Sequence, residues 1–170
     1  KATLDFGQNA LKESNKFEML ITDKVDLAGL PESVTEAAAA KAKSKNKDGW
    51  LFDLSAPSYL GFMKYSSNRD LREKLYMAYN TKSVKGGEFD NQAIVNKIVN
   101  LRLQIANLLG YESYADYILK NRMAKNKESV YNLLDDLAEA YSSIAHQEVN
   151  DVRENEKKIE DTTIDIQPWD

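Results

Sequence analysis

His146 is the only histidine in the chain and there is no cysteine. Helix-borne zinc hydrolysis needs two histidines one turn apart with a glutamate beside the first. His146-Gln147-Glu148-Val149-Asn150 lacks that arrangement, so His146 reads as a surface or hydrogen-bonded helix side chain. Asp135 and Asp136 stand together with Glu139 one turn on. Paired carboxylates can bind a metal or exchange protons. Neighbours on a helix point roughly 100° apart, which makes a poor chelate, so a solvated face is the expected reading. Gly86-Gly87 lacks the GxxxxGKS/T and GxGxxG spacings of a phosphate loop and reads as a turn. Of the nine tyrosines, Tyr59, Tyr65, Tyr76, Tyr79, Tyr111, Tyr114 and Tyr117 crowd the middle of the chain. Their rings suit a peptide channel, or more simply helix–helix packing. No catalytic or metal-ligating residue is assigned, and no substrate-binding residue is singled out.

The elements that would carry these residues are mostly helical. Leu4, Phe6, Ala10, Leu11, Phe17 and Leu20 recur at loose helical spacing. Pro31 opens a second helix with Glu32 and Glu36 near its start, and the alanine-rich run to Lys43 favours helix strongly. Trp50-Leu51-Phe52-Asp53-Leu54 is the one good strand candidate, bounded by Gly49 and Pro57. One strand makes no sheet, so its partner is expected elsewhere in the molecule or in a missing part. Tyr59, Leu60, Phe62, Met63 and Tyr65 return to helical spacing, and Asn68 is expected to cap the next helix, with Asp70 in its first turn.

Ile94, Ile98, Leu101, Ile105 and Leu108 fall on one stripe of a helix over about 91–109, closed by Gly110. A short helix is expected from Tyr114 to Leu119. The last begins near Lys127, with Val130, Leu133, Leu134, Leu137, Tyr141, Ile144 and Ala145 as its buried face; the stripe thins to Val149, Val152 and Ile159. Continued to Glu160 it would span about 50 Å and pack against several other helices. No helical-repeat period is visible.

The fold class is therefore all-α: an irregular multi-helix array with a long C-terminal helix and at most one short strand near residues 50–54. Hydrophobic residues at 42% and charged residues at 29% mark a folded chain. A net charge of −4 without a basic stripe argues against nucleic acid. No apolar run is long enough to span a membrane. The N-terminus is no signal peptide and starts in mid-pattern, as though preceded by more chain.

Several short motifs, in order, resemble the thimet-oligopeptidase family of zinc metallopeptidases. They are Asp26-Leu27-Ala28-Gly29-Leu30-Pro31, Trp50-Leu51-Phe52-Asp53-Leu54, Pro57-Ser58-Tyr59 and the run Asn68 to Tyr76. Glu88-Phe89-Asp90-Asn91, Leu101-Arg102, Leu108-Leu109-Gly110-Tyr111, Ala115-Asp116-Tyr117, Met123-Ala124-Lys125 and Gln167-Pro168-Trp169-Asp170 follow. Lys82 stands where the family pattern has arginine. The resemblance is strongest to the bacterial peptidyl-dipeptidase (dipeptidyl carboxypeptidase) branch.

The resemblance implies a largely helical parent split by a narrow channel. Its zinc is held by an HExxH helix and a later glutamate, and it removes C-terminal dipeptides from short peptides. Those elements lie downstream of Asp170 in the family's order. Residues 1–170 are thus expected to be one helical fragment of the channel wall, inactive alone and binding no zinc. Its partners would be short peptide substrates of the parent and the remainder of the parent chain, with no nucleic acid and no membrane. An internally cutting oligopeptidase and a free-standing helical binding domain are the alternatives. The compartment is left open between cytoplasm and periplasm. Exposed apolar surface and self-association are expected around Trp50–Leu54 and Ile164–Trp169.

Overall fold

The computed structural model describes residues 1–160 and 165–170. Among the described residues, seven α-helices and two short strands follow in the order α1 (Ala2–Lys16), β1 (Met19–Ile21), α2 (Glu32–Ser44), β2 (Trp50–Phe52), α3 (Ala56–Tyr65), α4 (Arg69–Asn80), α5 (Gln92–Leu108), α6 (Tyr114–Leu119) and α7 (Lys127–Glu160). The chain gathers into two compact units. One is Lys1–Asn96 with Gln167–Asp170, the other Lys97–Ile166.

The first unit is built on a two-stranded antiparallel sheet. Met19 faces Phe52, Leu20 faces Leu51 and Ile21 faces Trp50. The partner expected for the 50–54 strand thus comes from residues whose spacing reads as a continuation of α1. The helix stops at Lys16 because Phe17 turns extended, and Met19 and Ile21 then alternate inward while Leu20 faces out. A period of two along Met19-Leu20-Ile21, with a hydrogen-bonding partner at 50–52, outweighs the looser helical pattern.

Helix α2 lies on β2. Ala38 and Ala42 are buried there, and their small side chains let the helix approach the strand. Phe62 of α3 meets Phe52 edge-on, with ring centroids 4.7 Å apart, and Leu75 of α4 closes the core with Met19, Ile21, Leu27 and Leu54. Leu51, Phe52 and Leu54 are therefore buried inside this unit. That corrects the expectation of exposed apolar surface at 50–54: β1, α2 and α3 cover it. Ile164, in the other segment so named, and the side chain of Ile159 lie outside the described residues.

Local caps fall where side-chain chemistry places them. Asn68 accepts from the Leu71 N–H at 3.1 Å and donates to Asp26 Oδ1 at 2.9 Å, fixing the start of α4 against the 310 turn Lys24–Leu27. Asn91, buried before α5, accepts from Asn9 Nδ2 at 3.1 Å and donates to the Phe6 carbonyl at 3.0 Å, so α1 is held by one amide.

In the second unit α5 ends at Leu108, and Gly110 follows with φ of +82°. Ser113 caps α6, its hydroxyl bonded to Asp116, and Lys127 at the head of α7 pairs with the same carboxylate at 3.0 Å.

Candidate functional site

The residues singled out for chemistry are not brought together. His146 is exposed on α7, and its Nδ1 lies 2.6 Å from the Ser142 carbonyl one turn back, which engages that nitrogen as a donor. Asp135, Asp136 and Glu139 are exposed on the same helix. Among the described residues no three His, Cys, Asp or Glu side chains are grouped to hold a metal. Gly86 and Gly87 form a left-handed turn, and the Gly86 N–H is taken by Asp90 Oδ2 at 2.7 Å. The other oxygen of Asp90 accepts from the Gln92 N–H at 2.8 Å. The Gln92 backbone and side chain, with the Gly86 backbone, hold this carboxyl below its ordinary value. The glycines therefore serve the start of α5.

The tyrosines divide into separate packing groups. Tyr59 stacks on Tyr79 with centroids 4.0 Å apart, and Lys82 sits 3.7 Å above the Tyr79 ring. Burial raises the Tyr59 hydroxyl above its usual pKa. Tyr76 meets Trp169, and Tyr117 meets both Tyr111 and Tyr114. Each contact joins neighbouring elements within one unit.

A cavity of about 290 Å³ opens between α2 and α3, lined by Val34, Ala38, Lys41, Leu51, Phe52 and Pro57. Its walls are apolar, and its one cation is already engaged, with Lys41 Nζ 2.7 Å from Asp53 Oδ2. Burial pushes the Asp53 carboxyl up, but Lys41 and Ser55 outweigh it and hold the group below its ordinary value. Ser33, Ser55 and Ser58 also line the cavity, and the first unit contains no histidine to act as base.

The most elaborate polar arrangement is a clasp at the foot of α4. Arg69 Nε and Nη2 each donate at 2.8 Å to a different oxygen of Asp170. Arg72 Nε donates at 2.7 Å to the Trp169 carbonyl, Arg72 Nη1 at 2.7 Å to the Ser66 carbonyl, and the Gln167 N–H reaches Asp170 at 3.0 Å. The clasp binds chain to chain and leaves no donor set for a substrate. Both of its halves are motifs visible in the sequence, but nothing local there says that they meet.

The widest feature is apolar surface. Helix α5 carries a wide apolar face beside a polar one, and only Ala106 is fully buried. Leu101 and Ile105 of the expected buried stripe are exposed, and Leu108 is 87% exposed. On α7, Leu133, Leu134, Leu137, Tyr141 and Ile144 are exposed too. The spacing identified these stripes correctly; their burial is not realised, because no described element covers them. A wide apolar face on a helix ordinarily packs against a neighbouring element.

The described residues form a helical array with an antiparallel strand pair and long uncovered apolar stripes. A model of Peptidase family M3 matches residues 62–170. The chain belongs to that family. It is 38% identical over 169 residues to Oligopeptidase A of Salmonella typhimurium, covering 97% of this chain and 25% of that protein. It is 39% identical over 160 residues to the Probable cytosolic oligopeptidase A of Arabidopsis thaliana, covering 90% and 22%. It is 30% identical over 169 residues to the Dipeptidyl carboxypeptidase of Escherichia coli, covering 99% and 25%. The chain spans about a quarter of the length of these curated relatives.

Proposed function

We propose that residues 1–170 form a non-catalytic scaffold portion of a zinc-dependent M3 peptidase of the oligopeptidase type, which cuts short peptides internally. The supporting observation is the pairing of family membership with α5 and α7 surfaces that need cover. The identities of 37–39% to oligopeptidases A, against 30% to the E. coli dipeptidyl carboxypeptidase, favour internal cutting over the dipeptide release that the motifs suggested.

Zinc fits the family's chemistry but not the donors of this chain, which has one histidine and no cysteine. The metal is therefore assigned to other residues of the parent, and no step is routed through this chain's side chains. Their role is to shape and support the wall of a channel that admits short peptides. Among the described residues no helix is long and apolar enough to cross a membrane.

Two assays test this reading. The 170-residue chain with added zinc should leave short peptides intact. The product of the full reading frame should cleave, with zinc, a peptide whose C-terminus is amidated. Zinc-dependent cleavage by the chain alone overturns the scaffold role. Loss of cleavage on amidation, with dipeptide release from the free acid, overturns the oligopeptidase assignment in favour of dipeptide release.

A further inference from the structure

Asp48-Gly49 is the only Asp-Gly step in the chain, and no asparagine is followed by glycine. The pair closes the turn between α2 and β2. Other groups of that turn are engaged. Lys45 and Lys47 both pair with Glu18 beside β1, and the Lys47 N–H donates to the Ala42 carbonyl at 3.0 Å. Asp48 is exposed, and among the described residues its carboxylate has neither a hydrogen bond nor an ion pair.

The fold requires glycine at the next position. Gly49 has φ of +114°, and a Cβ there would strike the Ile21 carbonyl oxygen. Trp50 then pairs with Ile21 at the end of the ladder. The backbone nitrogen after Asp48 therefore belongs to a residue with no side chain to hinder approach. Every other aspartate from Asp5 to Asp165 precedes a residue that has a side chain. Several of those carboxylates are also engaged, Asp53 by Lys41, Asp90 by Gln92 and Asp116 by Lys127.

We propose that Asp48 is a site of spontaneous backbone rearrangement in the folded chain. The Gly49 nitrogen attacks Asp48 Cγ and closes a five-membered imide. The proton of that nitrogen and the hydroxyl of the protonated carboxyl leave as water. Ring closure is intramolecular and needs no co-reactant. Water then reopens the ring. Addition at Cγ restores the original bond; addition at the main-chain carbonyl carbon leaves the chain joined through Cγ and frees an α-carboxylate. The rearranged chain has the same atoms as before, with one extra carbon in its backbone between residues 48 and 49. Gly49 lies against the Ile21 carbonyl, so that extra length enters at the start of β2 and loosens the Ile21–Trp50 pair. This stands apart from the peptidase reading, since it concerns the lifetime of the strand pair and not what the parent cleaves.

The test holds the 170-residue chain for weeks in mildly acidic buffer at physiological temperature, one sample folded and one in urea. Proteolytic peptides are then analysed by mass spectrometry, and β-linked aspartate is detected by methyl transfer from S-adenosylmethionine with an isoaspartyl methyltransferase. The folded chain should show a loss of one water at 48–49, then β-linkage there before any other aspartate. Asp48→Glu, whose ring would have six members, should lose the signal. Asp48→Asn should gain it faster, through the same imide with ammonia leaving, while its circular dichroism is unchanged. In the separated β-linked form, the amides of Met19–Ile21 and Trp50–Phe52 should exchange faster than in the original chain. β-linkage at Asp48 confined to the urea sample, equal β-linkage at other aspartates, or a signal that survives Asp48→Glu overturns the proposal. Unchanged exchange in both strands overturns its consequence for β2.

Discussion

Asp170 meets Arg69 in a two-pronged ion pair, each carboxylate oxygen 2.8 Å from its own guanidinium nitrogen, although 101 positions separate the two residues in the chain. Arg72 adds a third contact at 3.3 Å, and the Asp170 side chain is only 4% exposed. Charged, bidentate bonds of this kind are the stronger class. Arg69 is partly open to solvent, which screens the gain. Asp170→Asn keeps the shape and removes the charge, and should cost about 1 kcal/mol in urea denaturation. Trp169 packs on Tyr76 beside this pair, so its fluorescence should shift red in the same variant. An unaltered emission spectrum and midpoint would show that the clasp does not hold the segment.

The same carboxyl gives a pH dependence of defined sign. Its pairing with Arg69, chiefly, holds it below its ordinary value of 3.8, against the opposing effect of burial. The stabilisation is therefore complete above 3.8 and is lost as pH falls through the depressed value. The Trp169 signal should be flat from neutrality down to that point and change only below it. A transition in the Trp169 emission near neutral pH would contradict this assignment.

Two apolar truncations should behave oppositely. Phe62 is fully buried against Phe52, and Phe62→Ala should cost about 3–5 kcal/mol through the cavity it leaves. Leu108 is 87% exposed, and Leu108→Gln should change stability by no more than about 0.5 kcal/mol. Denaturation of both variants of the 170-residue chain reads the difference. Comparable losses would mean that α5 is covered in solution.

Glycines separate in the same way. Gly29 has φ of +84°, and a Cβ there would strike the Tyr65 carbonyl oxygen and crowd Ser67. Gly86 has φ of +79° with open space around it. Gly86→Ala should cost about 1 kcal/mol for the left-handed backbone alone. Gly29→Ala should cost at least about 2 kcal/mol, because a backbone carbonyl must also move. Equal thermal midpoints for the two variants would argue against the close approach at Gly29.

Asn91 is buried with its amide engaged on both sides, by Asn9 and by the Phe6 carbonyl. Asn91→Ala strands those groups and should cost about 2 kcal/mol. Helix α1 buries no residue fully, so its backbone amides should exchange faster in the variant, while those of α3 keep their protection. Unchanged exchange in α1 would remove Asn91 as its anchor.

What could be read in the sequence was what the chain decides locally. The alternating spacing of Ile94 to Leu108 and of Val130 to Ile144 gave α5 and α7, Asn68 gave a cap, and Gly110 gave a stop. The strand at Met19–Ile21 escaped notice, because three residues after a helix carry no signal until a partner 30 positions away pairs with them. The face of each stripe was legible but not its burial, since periodicity says which side wants cover and not whether cover is present. Arg69 and Asp170 each sit in a recognisable motif, yet no local rule pairs one with the other.

The return of Gln167–Asp170 to the first unit has a consequence for synthesis. A ribosome adding about 5–20 residues per second delivers Asp170 roughly 5–20 s after Arg69. Over that interval the nascent strand pair, with α2, α3 and α4, must persist on the core around Phe52, Phe62 and Leu75, while Arg69 lacks its Asp170 partner. The first unit is therefore finished only when Gln167–Asp170 arrive.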